Sequence, residues 1–129
     1  MRDENKKLFL ALTKALCHAD GHFSDDEKEI LTLYCKEMGI SDDGAEAVSA
    51  YKELMDQLSA KSDAREKKII VFKLLGLAHA DKDFSEDERR FVDELRQSFG
   101  MEVEDITRAE QLIRDYFDVQ DRLNRFVFD

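Results

Sequence analysis

The sequence predicts an all-α protein, a single-domain bundle of about six or seven helices over residues 1–129. Three observations predict it. Apolar residues recur at three- and four-residue spacing from one end to the other, and no strand-like alternation competes. There is no proline and there are only five glycines, so few devices exist for the many tight turns a sheet protein needs. Hydrophobic residues make up 43%, enough to fill one core for a chain of 129 residues.

Each helix can be placed in turn. Leu8, Leu12, Ala15, Leu16 and Ala19 share a face, with Phe9 beside them, so the first helix runs from Asp3 to Ala19. Ser24 begins the second, with Ile30, Leu31, Tyr34 and Met38 inward and Gly39 placed as its C-terminal cap. Ser41 or Asp42 starts the third, with Val48, Tyr51, Leu54, Met55 and Leu58 inward. Asp63, with Glu66 three residues later, marks the start of the fourth, which carries Ile69, Ile70, Phe72, Leu74, Leu75 and Leu77. Ser85 begins the fifth, burying Phe91, Val92, Leu95 and Phe99, and Gly100 ends it. The last segment puts Ile106, Ala109, Leu112, Ile113, Tyr116 and Phe117 on one stripe that Leu123 and Val127 extend.

The chain repeats itself. HADGHFSDDE, from His18 to Glu27, returns as HADKDFSEDE, from His79 to Glu88. Residues 8–40 laid over 69–101 give nine identities without a gap, seven of them inside this motif. The repeat unit is a helix–loop–helix hairpin, and two such hairpins can hide their apolar sides against each other about a pseudo-twofold axis.

Part of the motif is explained by helix capping. Ser24 with Glu27, and Ser85 with Glu88, form capping boxes in which the serine oxygen accepts an orphan amide and the glutamate reaches back. The acids that follow each serine suit the positive end of the helix dipole. Asp20 and Asp81 are different. Each stands at the C-terminal end of a helix, where the dipole disfavours negative charge. An Asx turn would explain them, as would simple duplication. The alternative is a cation site in which Asp20 and Glu27 face each other and Asp81 and Glu88 supply a second pair. Carboxylates are hard ligands suited to calcium, magnesium or manganese rather than zinc. His18 and His79, at matched positions, are additional candidate ligands. An EF-hand is excluded in both copies. The turn glycine is replaced by Asp25 and Glu86, and the bidentate glutamate by Leu31 and Val92.

A net charge of −10 disfavours a nucleic-acid or anionic membrane partner and favours cations or basic surfaces. No stretch is long and apolar enough to span a bilayer, and the N-terminal run LFLALT is cut short by Lys14, so a cytoplasmic protein is expected. Cys17 and Cys35 fall inside helices and read as buried free thiols. The segment from Arg114 to Asp129 is rich in aromatics: Tyr116, Phe117, Phe126 and Phe128. The simpler reading is that they complete the core; the other is that they recruit a protein partner or a second copy.

A doubled HADG-type motif, with a glutamate opening the next helix in an all-helical chain of this size, resembles the TerB family of bacterial tellurite-resistance proteins. The resemblance covers about Leu8 to Met101. It implies an all-α fold with internal pseudo-symmetry, a role in stress or tellurite resistance, and an acidic face holding a divalent metal or a partner. Position by position, that face is Asp20, Glu27, Asp81 and Glu88; Lys82 departs from the family's glycine. With no nucleophile elbow, phosphate loop or HExxH, a non-enzymatic protein is expected over a metal-dependent hydrolase.

Overall fold

The computed structural model describes residues 3–18, 25–40, 51–79 and 85–128, and every regular element among them is an α-helix. In chain order these are α1 (Asp3–Cys17), α2 (Asp25–Met38), α3 (Lys52–Lys61), α4 (Ala64–Ala78), α5 (Glu86–Phe99) and α6 (Val103–Phe128). The predicted all-α class is the observed one. The expected start of the third helix near Ser41 falls outside the described residues, as do Ala19 at the end of the first and Ser24 at the start of the second.

The two hairpins have matching parts. α1 and α4 are each 15 residues long, and α2 and α5 each 14. α2 and α5 also end in the same way. Gly39 and Gly100 take φ of 68° and 66°, the left-handed region a side chain resists. Their amides donate to Lys36 O and Gln97 O, while Ile40 N and Met101 N donate to Cys35 O and Arg96 O. Both ends are therefore Schellman motifs. In the first, Ile40 packs on Cys35 and so adds the apolar contact such an end needs.

α1 and α4 form the centre. α1 packs on α2, α3 and α4, while α4 packs on α1, α2, α5 and α6. Leu12, Leu16, Ile70, Leu74 and Leu77 are fully buried between them and their neighbours, with Phe9 and Phe91 the largest members of the core. α3 closes against α1 and α5, bringing in Met55 and Leu58, and Ser59 Oγ donates to Ser98 O across that junction (2.8 Å). Asn5 Nδ2 donates to Lys61 O (3.1 Å), supplying a partner for a carbonyl in the last turn of α3. Asp63 caps α4 by accepting from Glu66 N (2.8 Å), as its spacing predicts. Cys17 and Cys35 are buried and joined in no disulfide, also as predicted.

The last helix departs from expectation. Ile106 and Ile113 are buried and Phe117 half-buried, but Leu112, Tyr116 and Leu123 lie on the surface. Phe126 and Phe128 are 86% and 81% exposed. Of the four C-terminal aromatics, only Phe117 joins the core. The physical reason is length. α6 has 26 residues, about 39 Å, whereas α4 beneath it has 15, about 22 Å, so its distal half outruns its support.

Phe91→Ala should destabilise the protein by about 3–5 kcal/mol, because it empties a fully buried site. Phe128→Ala should change stability by no more than about 0.5 kcal/mol. Urea denaturation followed by circular dichroism checks both, and a large loss at Phe128 would return the last aromatics to the core.

Candidate functional site

The two copies of the motif sit at equivalent chain positions, between α1 and α2 and between α4 and α5. Asp20 and Asp81 lie outside the described residues. Glu27 lies in the first turn of α2, and its side chain is likewise outside the description. Glu88 is described and is 3% exposed. Its carboxylate Oε1 accepts from Ser85 N (3.2 Å) and from Ser85 Oγ (3.1 Å), while Glu88 N donates to Ser85 Oγ (3.1 Å). The predicted capping box of α5 is present.

The matched histidines have different surroundings. His18 follows α1 and is exposed, its amide donating to Lys14 O. His79 caps α4, its amide donating to Leu75 O (3.0 Å), and its side chain is only 12% exposed. Its Nε2 lies 3.8 Å from Glu110 Oε2 on α6, a carboxylate that also faces Arg114 at 3.5 Å. α6 shelters His79. Among the described residues, no three His, Cys, Asp or Glu side chains are grouped to hold a metal.

A second feature was not foreseen. A groove of about 710 Å³ opens between α2, α4 and α6, lined mainly by Ile30, Leu33, Ile69, Phe72, Tyr116 and Phe117. Among the described residues the two halves close differently: α3 packs on α5, whereas α6 packs on α4. Tyr34 forms its floor. The hydroxyl donates to Lys73 O (2.7 Å), and Lys73 Nζ lies 4.6 Å from the ring centre while pairing with Glu37 at 3.1 Å. Gly76 lies beside this bond, and a Cβ there would make an ordinary contact of 3.7 Å with the Tyr34 hydroxyl. Burial, and then the Glu37 carboxylate and Cys17, hold the phenol well above the ordinary tyrosine range. The groove is thus mainly apolar, with Glu37, Lys68 and Lys73 among its lining residues. Its sequence signal is the apolar character of Ile69, Phe72, Tyr116 and Phe117, which periodicity alone assigns to a buried face.

No protein-family model matches the chain, and no curated protein matches it. Among solved structures, a tellurite resistance protein from Nostoc punctiforme PCC 73102 superposes with a TM-score of 0.70 at 22% identity, over 98% of this chain and 82% of that one. This chain shares the fold of that protein over nearly its whole length. No described helix is long and apolar enough to cross a membrane.

The raised Tyr34 value carries a pH dependence. In the unfolded chain the phenol ionises near 10, about the model-peptide value. Stability from the neutral, buried form is complete below that pH and is lost as pH rises toward the folded value. Tyr34→Phe should cost about 1 kcal/mol at pH 8 through the missing hydrogen bond. It should also make stability fall less steeply than in the wild type between pH 9 and 11. Urea midpoints at several pH values test this; parallel pH curves would refute it.

Proposed function

We propose that this chain is a non-enzymatic, cytoplasmic binding module of the tellurite-resistance and stress-response type. Its acidic motif holds a divalent cation, calcium, magnesium or manganese in preference to zinc, or docks a partner there. Asp20 and Glu27 form one half of the site and Asp81 and Glu88 the other. The observation that carries the reading is the fold match to a tellurite resistance protein over 98% of this chain. The motif adds to it, since both copies stand at the same kind of junction, between a 15-residue and a 14-residue helix. The buried Glu88 carboxylate supports the assignment as well, because its cap bonds engage Oε1 and fix the group's direction.

Titration calorimetry of chelator-stripped protein with calcium, magnesium, manganese and zinc tests this directly. Saturable binding is expected, and Asp20→Asn with Asp81→Asn should abolish it while circular dichroism stays unchanged. Binding that survives in the double variant would remove the motif from the site. No binding at all would leave the acids as helix caps and surface charge.

A further inference from the structure

α6 carries more than its own packing requires. From Asp118 to Phe128 every residue is exposed, yet Val119, Leu123 and Phe126 keep an apolar stripe running there. With Ala109, Leu112 and Tyr116 the stripe has six members at strict alternation of three and four. That 3.5-residue period is the seam of a coiled coil, whereas a helix serving only a globular core needs a 3.6-residue face. The seam adjoins the face that packs on α4: Ala109 is half-buried against the core, while Leu112 and Tyr116 border α4 and remain exposed. Labelling Tyr116 and Leu123 as a positions and Leu112 and Val119 as d, the buried Ile106 and Ile113 fall at e. One edge of the seam therefore abuts the body of the protein, and the opposite edge, at g, faces solvent. That edge carries Arg108, Asp115 and Arg122, which alternate in sign.

We propose that the occupant of this seam is a second copy of this chain, its α6 lying antiparallel to the first. Antiparallel coiled coils bring g positions opposite g positions, so alternating signs can select a register. One register sets Asp115 against Arg122 of the other copy, and twofold symmetry makes that pair twice. It also fits the side chains. Ala109, the small member of the stripe, comes opposite Phe126, the most exposed large apolar residue; Leu112 meets Leu123, and Tyr116 meets Val119. Phe126 is then delivered to a hollow of about 310 Å³ between α4 and α6, lined by Phe72, Ala109 and Leu112. A parallel pair offers no such match, because Asp115 and Arg122 would then face Gln120 and Val127 at e. Along the distal half, ion pairs between Asp118 and Arg122 (2.8 Å) and between Asp121 and Arg125 (2.9 Å) keep the exposed turns helical.

Sedimentation equilibrium of the full chain, without added metal, tests the pairing independently of any cation. A mass twice the 15.0 kDa of one chain is expected. Leu123→Glu should return the mass of one chain with its helical circular dichroism intact. Asp115→Arg and Arg122→Asp should each weaken association about tenfold, because each sets like charges against one another twice. Mixed one to one, these two variants should recover a heterodimer, since every pair is then opposite in sign. A wild type that stays at 15.0 kDa up to about 200 μM, a concentration far above typical dimer constants, overturns the proposal and leaves the seam to a different protein or a lipid surface. Charge reversals without effect, or a mixture that fails to pair, overturn it equally.

Discussion

The contact of α1 with α4 is the constraint on which the rest of the structure depends. Each is the more apolar arm of its hairpin, and neither can hide its side chains against a single neighbour. Leu12, Leu16, Leu74 and Leu77 are fully buried only because each helix is also covered from other sides. Burial of that kind is worth about 1.5–3 kcal/mol per large side chain, more than an exposed ion pair contributes. Surface pairs such as Lys28 with Asp25 decorate the helices without deciding where they lie.

Given that central pair, the remaining helices are fitted by what each can reach. α3 is only 10 residues long and settles across α1 and α5, where Met55 and Leu58 fill the space. α6 has no such limit. It covers α4, shelters His79 with Glu110, and then continues past the body. The same asymmetry accounts for both unforeseen features, the groove over Tyr34 and the exposed seam. The half closed by α3 is finished, whereas the half served by α6 presents apolar surface beyond what the fold consumes. Contiguous patches of that sort mark interaction sites in soluble proteins.

The acidic motif works at a different scale. In the second copy the serine and glutamate are absorbed by helix capping, so half of its conspicuous chemistry has a local purpose. Capping also fixes the direction of a buried carboxylate, and a fixed carboxylate is a better ligand than a free one. The binding role proposed for Glu88 therefore need not compete with its capping role.

By itself the sequence determined the helices and most of their boundaries. The 3.6-residue period, the Asp63 and Ser85 caps and the two glycine ends are local signals, and each was met where it could be described. The duplicated motif likewise carries the resemblance to the TerB family, whose implied all-α fold is the observed one. Tertiary structure alone decided which apolar faces find a partner. Leu112, Tyr116 and Phe126 look as core-forming in sequence as Ile106 and Ile113. Periodicity records that a face is apolar, but whether it is buried depends on how far the neighbouring helix extends. It likewise took the packing of α6 to distinguish His79 from His18, since identical local sequence carries no information about which helix will lie across it.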